Sequence, residues 1–156
     1  MCTTRTQTGV GVPQLSAVID CAEVGIKYDT PIIADGGIRY SGDVAKSLAA
    51  GANVVMLGGM LAGHKEGGGH IIEKNGNKYI EFYGSSSLTA NKKHYGGLSN
   101  YRSSEGRVVS VKYRGKINDT ISDMLGGIRS SCTYVGAPSL KQLSKCTTFV
   151  LSLIHI

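Results

Sequence analysis

Apolar residues recur every three to four positions early in the chain. Leu15, Val18, Ile19 and Ala22 fall at i, i+3, i+4 and i+7, which predicts an amphipathic helix from Gln14 to Glu23. The run TPIIADGG then gives a short continuous apolar stretch, Ile32 to Ala34, stopped by Asp35-Gly36-Gly37. That is the signature of a buried strand. SGDVAKSLAAG predicts a helix, with Ser41 as its cap, Asp43 in the first turn and Gly51 as its stop. NVVMLGG predicts a second buried strand, ending at Gly58-Gly59. Strand, helix and strand in this rhythm form a βαβ unit, which requires parallel strands.

The period then changes. In HIIEKNGNKYIEFY, alternating apolar and polar residues flank Asn75-Gly76-Asn77, the pattern of a β-hairpin. KINDTISDMLGGIR puts Ile117, Ile121, Leu125 and Ile128 on one helical stripe, and APSLKQLSK opens a last helix with Pro138 near its first turn. Between hairpin and helices, residues 85–115 are polar, punctuated by glycine and rich in tyrosine. They read as a functional loop or flap rather than core.

With 156 residues the chain is long enough for one domain with a core. Its 22 glycines against 3 prolines follow no collagen-like period; they close apolar runs, where a turn or a ligand needs a residue without Cβ. The net charge of +6 is scattered, and the densest basic cluster is Lys92-Lys93-His94. Small anions such as nucleotide phosphates fit that charge at least as well as nucleic acid, and no base-stacking motif accompanies it. Cys2, Cys21, Cys132 and Cys146 show neither a CxxC pair nor metal-ligand spacing, so a reducing cytoplasm is expected. No apolar run reaches the length of a membrane span. The final LSLIHI, residues 151–156, reads as a non-native tail, and with the abrupt MCTTR start it implies a chain cut at both ends.

Ligands of parallel sheets and barrels meet the carboxyl ends of the strands. Both predicted strands end there in Gly-Gly, where backbone N–H groups can close on a phosphate, and Asp35 is placed to accept a ribose diol. Turns alone explain one such pair; two on consecutive strands, with an acid, favour a nucleotide. Cys2, in a stretch without apolar periodicity and near Arg5, is either an inert thiol or a nucleophile. Cys21 and Cys146 read as inert buried thiols. Glu105, in YRSSEGR, reads as a solvated ion pair or, in a closed site, as a proton-exchange partner for a hydroxyl such as Thr4. His64, His70 and His94 lack ligand spacing and read as surface or loop residues.

CTTR, TGVGVPQLSAV, ADGGI, GDVAK, VMLGGMLAGH, FYG, YRSSEGR and LGGIRSSCTYVGA occur in that order from Cys2 to about Val150. In this series the chain resembles the carboxyl-terminal half of the guanosine monophosphate (GMP) reductases, (β/α)8-barrel enzymes related to inosine monophosphate (IMP) dehydrogenase. GGMLAGH, YRSSEGR and SCTYVGA are reductase-like, whereas IADGGIRYSGD and SLAAGA are closer to the dehydrogenase. The resemblance implies an α/β fold: the last two strands and helices of a partial TIM barrel, with a β-hairpin and flap insertion and carboxyl-terminal helices. Residues 1–150 would be the carboxyl-terminal half of a catalytic domain that starts in the active-site cysteine loop.

The same resemblance implies NADPH-dependent reductive deamination of GMP to IMP and ammonia, through a thioimidate on Cys2. Thr4 and Glu105 would handle protons. Asp35, Gly36, Gly37, Gly58 and Gly59 would hold ribose and phosphate. Gly84, Ser85, Ser86, Arg102, Ser103, Ser104, Glu105 and Gly106 would frame the base. Ser85, Tyr101, Arg102, Ser130, Ser131, Cys132 and Thr133 match cofactor-contacting positions, and the backbone carbonyls of Cys2 and Arg5 match a potassium site. Members commonly form tetramers in the cytoplasm, with no nucleic-acid or membrane partner. Ser85 departs from the family's usual methionine, which removes apolar area against the purine and nicotinamide. The other readings are an IMP dehydrogenase, and an inactive nucleotide-binding fragment.

Overall fold

The computed structural model describes residues 2–152; Met1 and residues 153–156, most of the predicted tail, lie outside the described residues. The elements in order are α1 (Thr4–Thr8), α2 (Gln14–Lys27), β1 (Ile33–Asp35), α3 (Ser41–Ala49) and β2 (Val54–Met56). Then follow β3 (Ile71–Lys74), β4 (Asn77–Tyr83), α4 (Leu88–His94), β5 (Val108–Lys112), α5 (Asn118–Tyr134) and α6 (Leu143–Cys146). The chain divides into two compact units: Met1–Pro13 with Leu57–Ser122, and Gln14–Met56 with Asp123–Ile156.

The second of these holds the βαβ unit. β1 and β2 pair in parallel, with Ala34 opposite Val55. Ala34 is 1% exposed and packs with Val18 of α2 and with Ala52. The strands were expected to be buried. Instead Ile33, Val54 and Met56 are about half exposed, because the helices of this unit cover only the face that carries Ala34 and Val55. α2 runs one turn beyond the predicted Glu23, and its buried stripe is Val18, Ala22 and Gly25. Cys21 lies on the flank of that stripe and is exposed, as is Cys146, so neither is the buried thiol expected.

α3 is capped differently from the prediction. Ser41 is its first helical residue, and the Asp43 carboxylate reaches back to accept the backbone N–H groups of Arg39 and Tyr40 at 3.0 and 3.1 Å. Desolvation, the largest single effect, is outweighed by those bonds together with the Lys46 ammonium at 3.1 Å, so the Asp43 carboxyl is held below its ordinary range. Gly51, at φ +104°, ends this stretch, and a Cβ there would stand 2.7 Å from that of Ala22. In α5 the buried side chain is Met124 rather than Leu125, which is 41% exposed. The helix turns its glycine side to α3: a Cβ on Gly127 would meet the Ser41 hydroxyl at 2.5 Å. The last helix is a 3-10 turn, Leu140–Gln142, followed by the single turn of α6. Pro138 precedes both, and Leu143 is buried against Ala49 and Ala137.

The other unit is built on an antiparallel sheet in the order β3-β4-β5. The predicted hairpin is present. Its turn is Asn75-Gly76, both at positive φ (51° and 72°), as a two-residue turn between right-twisted strands requires. Ile71, Ile80 and Val111 sit side by side on one face, with Ile80 only 5% exposed. Residues 85–115 are not simply a loop, because they contain α4 and β5. β5 follows the alternation of VVSVK, where Val109 and Val111 face one way and Val108, Ser110 and Lys112 the other. α4 starts at fully buried Ser87, whose hydroxyl accepts the Ala90 N–H at 3.1 Å, and ends in Lys92, Lys93 and His94, which suit the negative end of a helix.

Candidate active site

Three stretches of the sheet-bearing unit meet: the start of the chain, the turn between β4 and α4, and the segment leading into β5. Cys2 forms an isolated antiparallel bridge with Gly106, and the Thr3 N–H donates to the Glu105 carbonyl at 2.6 Å. The Glu105 N–H donates to the Ser86 carbonyl at 3.2 Å, and the Gly84 N–H to the Arg107 carbonyl at 3.0 Å. The Ser104 hydroxyl lies 3.5 and 3.4 Å from the carbonyls of Ser86 and Gly106, either of which can accept its one hydrogen. Gly106 is where the stretches touch most closely: a Cβ would lie 2.5 Å from the Ser87 nitrogen and 2.9 Å from its Cα. Only a residue without a side chain permits that approach.

These tethers explain why a threonine-rich stretch turns helical. α1 has five residues and no buried side chain, too few to hold a helix by itself. Its start is held by the bridge at Cys2, and Gly9, at φ +70°, closes its end on the Arg5 carbonyl. The turn fixes the order of the reactive groups. Cys2 Sγ and Thr4 Oγ1 are 2.9 Å apart, the Thr4 N–H points at the sulfur at 3.3 Å, and Thr4 Oγ1 is hydrogen-bonded to Glu105 Oε2.

The thiol is exposed. The Thr4 hydroxyl and then the Thr4 N–H stabilise its anion and lower its pKa from the ordinary 9.0, against partial desolvation and the charge of Glu105. Threonine carries one hydroxyl hydrogen. Cys2 Sγ and Glu105 Oε2 both lie within hydrogen-bond reach of that one hydroxyl. Glu105 makes no ion pair among the described residues, so it is not the solvated pair that its flanking arginines suggested.

Beside this line lies a cavity of about 450 Å³, lined by Ser85, Ser86, Arg102, Ser103 and Glu105, and by Asn91, Tyr95 and Leu98 from α4 and the turn after it. The Asn91 carbonyl accepts both the Tyr95 and Gly97 N–H groups at 2.9 and 3.0 Å, folding the chain back to form the cavity wall. Arg102 has no acidic partner among the described residues, so an unpaired guanidinium borders a polar hollow. Sequence reasoning missed Asn91, Tyr95 and Leu98; their signal was the serine-capped, basic-ended pattern of α4.

Not all predicted residues meet here. Gly58 and Gly59 belong to the same unit; Gly59 opens a 3-10 turn, and a Cβ on either would meet nothing within 4 Å. Tyr101 is 87% exposed. Asp35, Gly36, Gly37 and residues 130–133 belong to the other unit. There the Asp35 carbonyl accepts from Gln14 Nε2 at 2.9 Å, and Gly36 and Gly37 lie at φ +105° and +77°. The hydroxyls of Ser131 and Thr133 donate to helix carbonyls of Gly127 and Arg129. His64, expected at the surface, is 1% exposed. No group of three His, Cys, Asp or Glu side chains able to hold a metal occurs among the described residues.

A mixed α/β chain whose thiol, hydroxyl and carboxylate stand in one hydrogen-bonded line beside a polar cavity has the make-up of an α/β enzyme site. The family model described as "IMP dehydrogenase / GMP reductase domain" matches residues 1–153, and the chain belongs to that family. It is 58% identical over 150 residues to GMP reductase 2 of Mus musculus and 55% identical over 150 residues to GMP reductase of Vibrio atlanticus. Each match covers 96% of this chain and 43% of the relative, so the chain spans less than half the length of these curated relatives. Among solved structures it superposes on a cysteine-to-alanine variant of GMP reductase from Trypanosoma brucei in complex with guanosine 5'-monophosphate. The TM-score is 0.89 at 39% identity, covering 96% of this chain and 31% of that one.

Proposed function

We propose that residues 1–150 are the carboxyl-terminal part of the (β/α)8-barrel catalytic domain of a GMP reductase, and that they carry its nucleophile. The reaction is the NADPH-dependent reductive deamination of GMP to IMP and ammonia. The hydrogen-bonded line Cys2–Thr4–Glu105 carries this reading. In it β1 and β2 are two adjacent strands of the barrel, and residues 151–156 stand outside the catalytic domain as a non-native tail.

The Cys2 thiolate attacks C2 of the guanine ring. The S–C2 bond forms, the bond from C2 to the amino group breaks, and ammonia leaves with a proton that Glu105 passes through Thr4. A thioimidate remains on sulfur, so one difficult substitution becomes two easier steps. NADPH, when bound, supplies a hydride to C2. The C2–S bond then breaks, its electron pair returns to Cys2, and IMP is released.

Asp35 holds the ribose diol in this scheme, and Gly36, Gly37, Gly58 and Gly59 present amides to the phosphate. Ser85, Ser86 and residues 102–106 frame the base. The unpaired Arg102 at the rim of a polar cavity suits a nicotinamide nucleotide, which Tyr101 and residues 130–133 would also contact. For potassium, this chain offers the carbonyls of Cys2 and Arg5. The latter already accepts the Gly9 N–H at 2.9 Å and keeps one lone pair, so these residues supply part of an oxygen shell and no more. Four free cysteines suit a reducing cytoplasm. No described helix is long and apolar enough to cross a membrane. A homotetramer completes the reading.

The test is a chimera in which residues 2–150 replace the matching stretch of the mouse relative. GMP should drive NADPH oxidation, and gel filtration with light scattering should give a tetramer. Reduction of NAD with IMP, with GMP inert, would assign the chain to the dehydrogenase instead.

A further inference from the structure

We propose that Arg114 and His64 form a clasp that positions the Gly58-Gly59 loop against the end of β5, and so couples binding of the nucleotide phosphate to the placement of Glu105. The inference rests on the phosphate role proposed above for those glycines.

The segment that follows the glycine pair is stitched to the segment that follows β5. Arg114 Nη1 donates to the Met60 carbonyl at 3.0 Å, one residue beyond Gly59, and its Nη2 donates to the Thr120 hydroxyl at 3.2 Å. The Arg114 N–H donates to the Gly63 carbonyl at 2.8 Å, and the Lys65 N–H to the Gly115 carbonyl at 2.9 Å. The Ile117 N–H donates to Glu66 Oε2 at 3.1 Å. At Gly63, where φ is +83°, a Cβ would stand 2.6 Å from the Lys112 carbonyl oxygen, so the segments touch backbone to backbone.

His64 sits in the middle of this seam, 1% exposed and paired in parallel with Gly115. Its Nδ1 lies 3.3 Å from the Gly115 carbonyl, which can only accept, so Nδ1 carries the hydrogen. Its Nε2 is buried with no partner among the described residues. Burying an unpartnered nitrogen is unfavourable where a leucine would pack at no such cost. The histidine is explained by its Nδ1 donor, which holds the Gly115 carbonyl together with the Lys65 N–H.

Arg114 is exposed, yet its long side chain is fixed by two hydrogen bonds, against the rotamer freedom that solvent allows. It has no carboxylate partner among the described residues, so its charge remains available to the field around the glycine loop. The route to the reactive line is short. β5 begins two residues after Gly106, is paired along its length with the central strand β4, and ends two residues before Arg114. A strand held in that way moves as one piece, so a shift at the clasp reaches Glu105.

The test uses the chimeric enzyme, with GMP as the probe, read by hydrogen exchange and by kinetics. In the parent chimera GMP should slow exchange both at residues 58–61 and at residues 104–107. Arg114→Ala should keep the first effect in weakened form and lose the second. It should lower kcat about tenfold, because phosphate binding then no longer places Glu105, with a smaller rise in the KM for GMP. Arg114→Lys, still able to reach the Met60 carbonyl, should restore part of both. His64→Asn, which keeps a donor where Nδ1 stands, should retain the coupling, and His64→Leu should lose it. GMP protection of residues 104–107 that survives both Arg114→Ala and His64→Leu overturns the clasp. Protection at 58–61 alone in the parent chimera overturns the coupling while the phosphate reading stands. No protection at 58–61 overturns the phosphate reading and the inference with it.

Discussion

Replacing Gly106 by alanine tests the site at its tightest point. The added Cβ would lie 2.5 Å from the Ser87 nitrogen, 2.9 Å from its Cα and 3.0 Å from the Ser86 carbonyl carbon. All three are backbone atoms of a turn fixed by the end of β4 and the cap of α4, so none can rotate away. Ordinary contact needs roughly 3.5 Å, so the two segments must part by about 1 Å. Overpacking of this kind costs about 1–3 kcal/mol. The Glu105 N–H bond to Ser86 and the Thr3 N–H bond to Glu105 cross the same seam, and each is worth roughly 1 kcal/mol if lost. A stability loss of about 2–4 kcal/mol follows for the chimera. The catalytic effect is larger in proportion, because Glu105 adjoins the displaced residue. A shift of about 1 Å away from Thr4 should lower kcat on the order of 100-fold. Thermal melting and GMP-dependent NADPH oxidation measure the two effects. Gly42→Ala is the control, since a Cβ there meets nothing within 4 Å and the position is helical. If Gly106→Ala melts like the parent and turns over within about threefold of it, the packing argument is wrong.

Other outcomes follow from the same geometry. Cys2→Ser should abolish turnover while GMP binding persists, and mass spectrometry of trapped enzyme should find the nucleotide adduct on the Cys2 peptide; an adduct on Cys21, Cys132 or Cys146 would remove the mechanism. Thr4→Val takes away the hydroxyl that is the largest cause of the lowered Cys2 pKa, so the pH midpoint of Cys2 alkylation should rise towards 9.0. Because a depressed thiol pKa speeds alkylation below the ordinary value, the rate at neutral pH should fall; an unmoved midpoint would show that the Thr4 N–H alone sets it. Ser85→Met should lower the KM for NADPH by adding apolar cover to the cavity; a raised KM would mean that the hollow has no room for it.

The elements that repeat a simple period were legible in the sequence. α2, α3, both parallel strands and the Asn75-Gly76 hairpin stand where apolar spacing and turn residues put them. The reading went astray where a residue's role depends on distant backbone. Ser41 looks like a cap, but Asp43 reaches back and takes that role. His64 looks like a loop residue because nothing local reveals that the Gly115 carbonyl, 51 positions away, covers it. β5 and α4 were hidden in a polar stretch whose composition outweighed its alternation and its caps. The motifs picked out Cys2 and paired Thr4 with Glu105, but only the fold gives the line its geometry, with a carboxylate 101 positions from Thr4 bonded to its hydroxyl.

The single hydroxyl hydrogen of Thr4 sets an order of events. One hydrogen cannot serve sulfur and carboxylate together, so the site has a selector with two positions and no rest state between them. In the proposed mechanism, activation of the nucleophile and delivery of the departing proton draw on that same hydroxyl in turn. In mixtures of light and heavy water, a rate limited by the proposed Glu105–Thr4 relay would fall along a curve rather than a straight line, because two hydrogens are in flight.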